Sequence, residues 1–200
     1  MEKLLIFIKH HFSVIWHFIE RGNGSIFTLL YKSRMEKVLN RVLMEYQTPP
    51  YTYRRLNTSD AGPLSVMVHQ QKPSDLLFFK PHGLDNISIK KQFKVSSFLM
   101  MGVFYKEHII GYFFLRFFIN KKCFVGRLID KDFRGKGIGM VMNSIMYETA
   151  WRLNFRCLST ISLNNAAIMH AHSKNPTMVV VKELPNNYLL VEFVRNSKSL

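Results

Sequence analysis

Two hundred residues at 23.5 kDa, 48% hydrophobic and 20% charged, make one globular domain with room for an appendage and exclude a disordered chain. Ten Gly without a period, seven Pro and two Cys exclude collagen, coiled-coil and disulfide-scaffold compositions. The 28 Lys and Arg against 13 Asp and Glu leave +15, spread along the chain, which points to an anionic partner: nucleic acid, anionic lipid or a phosphorylated small molecule.

Leu4 to Ile19 is greasy, but Lys9, His10 and His11 interrupt it, so it is neither a signal peptide nor a span. At 3.6 residues per turn Lys9, Ser13, His17 and Glu20 form a polar stripe opposite Leu4, Ile8, Phe12, Ile15 and Ile19. Such an amphipathic helix packs on the body of the protein, pairs with a second subunit in a homodimer, or lies on a membrane surface; packing is the reading preferred. Gly22-Asn23-Gly24 predicts a turn, and Ser25 the N-cap of a second helix whose face reads Met35, Val38, Leu39, Val42 and Tyr46. Pro49-Pro50 ends it, so residues 1–48 form a helical extension and 49–200 the main domain.

From Tyr51 strand-like and helix-like pieces alternate: a strand to Leu56, a helix from Thr58 to Gln70, a short helix from Leu84 to Phe93, then β-rich runs at Ser97–Tyr105, Ile109–Phe118 and Lys122–Ile129 joined by hairpin-sized links. A helix after Gly139, a strand at Cys157–Leu163, a helix at Asn165–Ser173 and strands at Met178–Glu183 and Tyr188–Val194 complete a mixed, largely antiparallel α/β (α+β) sheet of about seven strands. Cys123 and Cys157 fall in apolar strand runs without metal-ligand spacing; no metal is expected, and both read as buried reduced thiols of a cytoplasmic chain.

Arg134-Gly135-Lys136-Gly137-Ile138-Gly139 sits between a strand and a long helix. Glycines let the backbone approach a ligand, and the loop N–H groups add to the positive end of the helix, which suits a pyrophosphate. The hexapeptide is neither a Rossmann fingerprint nor a P-loop. In this strand order it resembles the acetyl-CoA-binding signature Gln/Arg-x-x-Gly-x-Gly/Ala of the GNAT superfamily of acyl-CoA-dependent N-acyltransferases, over residues 51–195. Asn164-Asn165-Ala166-Ala167-Ile168 is similar to that family's Asn-x-x-Ala-Ile.

The resemblance implies that the fourth and fifth strands splay apart around the pantetheine arm of acetyl-CoA. Backbone groups at Arg127, Leu128 and Ile129 would bond the arm and polarise the thioester, Arg134 through Met140 would hold the pyrophosphate, and Asn164 would belong to the second motif. An amine would attack the thioester directly. Where the family often carries a Tyr that protonates the thiolate, seven residues after the Asn, this chain has Ala171, flanked by His170 and His172; His172 is the substitute acid if the helix starts one residue out of register. The fourth strand offers no carboxylate, which leaves Asp130 just beyond it or His82, fixed behind Pro81 in the loop bordering the acceptor, as general base. Phe79-Lys80-Pro81-His82 faintly resembles the Phe-x-Pro-His segment of GNAT enzymes linked with bacterial surface polysaccharide synthesis, which implies an amino-sugar acceptor, free or nucleotide-linked, and no nucleic acid. The alternative is a CoA-binding adaptor of the same fold that has lost catalysis and uses its basic surface on a partner or membrane.

Overall fold

A meander of three strands, built from apolar runs joined by links of two and four residues, is the centre of the molecule. The structure, a computed structural model, describes residues 13–173 and 175–195. In chain order it contains α1 (Ser13–Glu45), β1 (Tyr51–Arg55), α2 (Ala61–His69), α3 (Pro73–Leu76), α4 (Asn86–Gln92), β2 (Phe98–Tyr105), β3 (His108–Phe117), β4 (Lys122–Ile129), α5 (Ile138–Arg152), β5 (Arg156–Ser162), α6 (Ala166–Ser173), β6 (Met178–Leu184) and β7 (Tyr188–Phe193). The strands form one seven-stranded sheet in the order β1-β2-β3-β4-β5-β7-β6. Every neighbouring pair is antiparallel except β4 and β5, which α5 connects as a parallel crossover. The mixed sheet expected from the sequence is the one observed.

Side-chain alternation divides the core. Leu99, Met101 and Val103 of β2 join Phe113, Leu115 and Phe117 of β3 under α1 and α5, while Phe98, Met100 and Phe104 join Tyr112 and Leu128 under α2 and α4. A capping box opens the 3-10 turn Thr58–Asp60 that runs into α2: Asn57 Oδ1 accepts from Ser59 N, and Asp60 Oδ2 accepts from Asn57 N. Asp60 also receives both Arg54 guanidinium nitrogens at 2.8 Å, and that pairing holds its carboxyl below the usual range.

The turn expected at Gly22-Asn23-Gly24 is absent: α1 runs through it, and Ser25 caps nothing. Asn23 instead spans to the far end of β3, its Nδ2 donating to Phe117 O and its Oδ1 accepting from Ile119 N. Gly24 lies beside Ser96, whose Oγ donates to Gly24 O; a Cβ at Gly24 would stand 3.5 Å from that oxygen. The triplet therefore docks a helix rather than breaking one. The face expected downstream holds, with Met35, Leu39 and Val42 buried and Val38 and Tyr46 packed against them. Arg152 on α5 ties this helix down through both Glu45 carboxylate oxygens, at 2.6 and 2.9 Å. The amphipathic stripe over residues 4–12 lies outside the described residues. Among those described, no helix is long and apolar enough to cross a membrane. Cys123 and Cys157 face each other across the parallel register, buried and unbridged, with burial pushing both thiols up.

Candidate active site

β4 and β5 pair only from Lys122–Arg156 to Phe124–Leu158. One residue further the ladder ends in a side-chain contact, Ser159 Oγ donating to Val125 O at 3.0 Å, after which the strands diverge. Main-chain direction on β4 follows from its other edge. Phe118 N donates to Lys122 O and Asp130 N to Ile110 O, so even-numbered residues of β4 address β3 and odd-numbered ones the opening. Arg127 and Ile129 therefore turn backbone N–H and C=O groups toward the gap. Leu128 does not: its main chain belongs to the β3 ladder opposite Tyr112, and its side chain is buried. Of the three residues expected along the arm, Arg127 and Ile129 turn main-chain groups toward the gap and Leu128 does not.

The gap leads into the glycine loop. Asp130 accepts from Asp132 N and caps the short turn Lys131–Phe133, which the chain leaves at Arg134 in an extended conformation. Gly135 and Gly137 then adopt φ of +74° and +79°, a region L side chains rarely enter, and Gly137 is the N-cap of α5. Bonds to Gly137 O begin at Met140 N, so the N–H groups of Ile138 and Gly139 precede the helical ladder and, with the positive helix end, form an anion-binding rim. Gly139 has a different reason to lack a side chain. A Cβ there would stand 2.9 Å from Arg127 Nη1 and 3.2 Å from Ile129 Cδ1, because the Arg127 side chain passes beneath α5 to donate from Nε to Asn143 Oδ1 at 2.8 Å. Burial there pulls the Arg127 guanidinium below its ordinary value.

Three side chains expected to act at the cleft are engaged elsewhere. Arg134 makes a two-pronged pair with Asp75 on α3, at 2.9 and 3.2 Å, and donates from Nε to Ile129 O, while Lys136 lies over the Phe133 ring. Asp130 uses its second oxygen to accept from Gln71 Nε2 at 3.1 Å, and Gln71 Oε1 accepts from Lys131 N, so both carboxylate oxygens hold the loop. Neither α3 nor Gln71 stood out in the sequence; their partners lie about sixty residues away, and the only local signal is Pro73 at the start of a turn.

His82 rests on the sheet face that carries α2 and α4, in an aromatic cluster with Phe98 and Tyr112. Its Nδ1 lies 2.6 Å from Gly83 O and its Nε2 2.7 Å from Tyr112 Oη. A carbonyl only accepts, so Nδ1 carries the proton and Nε2 accepts from the tyrosine hydroxyl. Burial lowers the imidazole pKa against the opposing pull of the Gly83 carbonyl, so His82 is neutral at pH 7. Tyr112 is fully buried on β3 beside Leu128 of β4, which places the pair one strand from the opening. A cavity of about 400 Å³ lined by Arg55, Asn57, Thr58 and Phe93 shares Phe98 with this cluster, but opens against β1 and β2 on the far side of β3.

At the other lip, Asn164 N donates to Ser162 Oγ, and Asn165 rather than Asn164 caps α6, its Oδ1 accepting from Ile168 N. Counted from Asn165, the seventh residue is His172, whose side chain lies outside the described residues; His170 is exposed. No cluster of His, Cys, Asp and Glu among the described residues could hold a metal ion.

No protein-family model and no curated protein sequence matches the chain. Solved structures do. The ribosomal-protein-S5-alanine acetyltransferase from Vibrio fischeri superposes with a TM-score of 0.60 at 17% identity, covering 76% of this chain and 96% of its own. The PaiA N-acetyltransferase from Thermoplasma acidophilum, solved in complex with coenzyme A, gives 0.59 at 14% identity, covering 72% and 99%. RimL, a ribosomal L7/L12 alpha-N-protein acetyltransferase, gives 0.56 at 18%, covering 72% and 88%. At these identities the likeness establishes a shared fold, that of GNAT acetyltransferases.

Proposed function

We propose that the chain is an acetyl-CoA-dependent N-acetyltransferase acting on a small amine. The observation that carries this reading is the opened parallel pair β4–β5, with the backbone of Arg127 and Ile129 facing the gap and leading into two positive-φ glycines at the α5 N-terminus. Acetyl-CoA supplies the acetyl group as a thioester; the amine nitrogen forms the new bond to its carbonyl carbon as the carbon–sulfur bond breaks and thiolate leaves.

The chain's own residues hold and polarise. The Arg127 and Ile129 main chain bonds the pantetheine amides and meets the oxyanion as it develops, a role that needs fixed donors rather than particular side chains. Gly135, Lys136, Gly137, Ile138, Gly139 and Met140 take the pyrophosphate, with Arg134 holding the loop's shape through Asp75. His82 is the proton sink. With both ring nitrogens engaged, it gains a proton along the Tyr112 hydroxyl: Tyr112 gives its proton to Nε2, and because it is buried one strand from the gap, its oxygen takes the proton released by the ammonium through water rather than from the amine itself. His172, in register with the Asn165 cap, is the candidate donor to the thiolate, and Asn164 borders the same lip. The +15 charge suits both CoA and a phosphorylated amino sugar. Titration calorimetry with acetyl-CoA, followed by thiol-release assays over amino sugars, nucleotide-linked amino sugars, polyamines and peptide N-termini, tests the reading. Micromolar binding with turnover of at least one amine is expected; absence of acetyl-CoA binding overturns it.

One observation favours the adaptor reading. Both oxygens of Asp130 and both nitrogens of His82 are engaged, and Ala171 stands where a Tyr is common. Tight acetyl-CoA binding without turnover across that panel would select it.

A further inference from the structure

Helix α1 carries apolar residues on two faces, and the core covers one of them. Phe27, Met35, Leu39 and Val42 are buried against the sheet and α5. On the opposite side Ile26, Leu29 and Leu30 are 43%, 84% and 58% exposed. The helical repeat of about 100° per residue decides which face the N-terminal stripe continues. Positions 15 and 19 lie eleven and seven residues before Ile26, spacings that return to the same side of the helix. Positions 17 and 20 fall in phase with Met35 and Phe27 instead. By helical position alone, residues 17 and 20 thus share the side of α1 that is buried downstream, while residues 15 and 19 share the side on which Ile26, Leu29 and Leu30 are exposed. The packing that holds residues 27–42 does not account for it.

We propose that this second stripe is a docking surface for an anionic membrane, on which α1 lies in the interfacial plane. Charge selects the occupant. The chain carries +15, and exposed Lys32, Lys37 and Arg41 stand on the same helix, so an anionic lipid surface neutralises what a second copy of the chain would oppose. A long helix with a broad apolar side, Trp and Phe in its sequence and Lys or Arg beside the stripe is the type that binds at an interface. The absence of any crossing helix among the described residues fits a helix that lies on a bilayer rather than through it.

The test is co-sedimentation of the full chain with vesicles of phosphatidylcholine alone and of phosphatidylcholine with phosphatidylglycerol, in low and high salt, beside sedimentation equilibrium without lipid. Binding is expected to the anionic vesicles only, weakened at least about tenfold by high salt. The double variant Leu29→Glu/Leu30→Glu, at positions already in solvent, should keep the wild-type circular dichroism and melting temperature and lose about a hundredfold or more in vesicle affinity. Failure of the folded wild type to bind anionic vesicles, equal binding to neutral ones, or a dimer in solution that the double variant dissolves would each overturn the proposal, the last in favour of a second copy.

Discussion

Replacing Gly139 by Val tests whether this glycine serves the architecture rather than the ligand. The backbone there is helical, so nothing forbids a side chain on conformational grounds, and the helix itself gains a few tenths of a kcal/mol from the exchange. The cost lies below. A Cβ would stand 2.9 Å from Arg127 Nη1 and 3.2 Å from Cζ, and valine's further methyls enlarge the collision. Arg127 must swing away and give up its 2.8 Å bond to Asn143, a charge-assisted bond of the kind that contributes about 1.5–3 kcal/mol. The net loss is about 1–3 kcal/mol, which in a chain of this size lowers the melting temperature by roughly 2–10 °C. Calorimetric melts of wild type, Gly139→Val, Arg127→Met and the double variant form the cycle. The valine penalty should shrink to within about 0.5 kcal/mol of zero once the guanidinium is gone, because the coupled pair is in contact. An unchanged melting temperature for Gly139→Val, or a full penalty in the Arg127→Met background, would refute the assignment and return Gly139 to the ligand. Gly135→Val is the contrast: a Cβ there meets nothing within 4 Å, so its cost is the positive φ alone, about 1–2 kcal/mol, expressed at the loop where acetyl-CoA binds.

Once an acceptor is known, His82→Ala and Tyr112→Phe should each lower kcat/KM by about two orders of magnitude with acetyl-CoA affinity unchanged in calorimetry. Because burial depresses the His82 pKa, the neutral base is fully present above about 6.5 and the acidic limb of the pH–rate profile lies below that value, disappearing in both variants; a wild-type profile in His82→Ala would remove it from the reaction. Asp75→Asn breaks the pair through which Arg134 holds the loop's shape, so acetyl-CoA should bind several-fold more weakly in calorimetry with the melting temperature little changed; unchanged or tighter binding would show that the pair does not shape the loop. Deleting residues 1–48 removes Phe27, Met35, Leu39 and Val42 from the core, each contributing about 1.5–3 kcal/mol of burial. That sum matches the whole stability of a typical domain, so the fragment should aggregate; a soluble fragment with a cooperative melt would contradict the packing described.

What could be read in advance was whatever is written over a few consecutive residues. The period-two runs of β2 to β4 and the glycine loop before α5 carry their structure locally, and they were found in place. Gly22-Asn23-Gly24 carries the local signature of a turn, but Asn23 finds its hydrogen bonds 94 and 96 residues away, and those settle the helix. Separations of 59 and 30 residues likewise hid Asp75 as the partner of Arg134 and Tyr112 as the partner of His82. Gly139 was legible as a required glycine but not for the right reason, since the neighbour that excludes its Cβ is on a strand twelve positions earlier.

The Arg34–Arg152 and Glu45–Arg152 bonds span 118 and 107 residues, and Phe27 stacks on Phe117, 90 residues on. As the chain leaves the ribosome, α1 is therefore made first and covered late. At about 5–20 residues per second, roughly 5–25 s pass between the synthesis of Arg34 and that of the α5 residue that clamps it. Through that interval both apolar faces of the helix are bare, and the nascent chain has a window in which chaperones, or a nearby surface, can reach a face that the finished protein keeps inside.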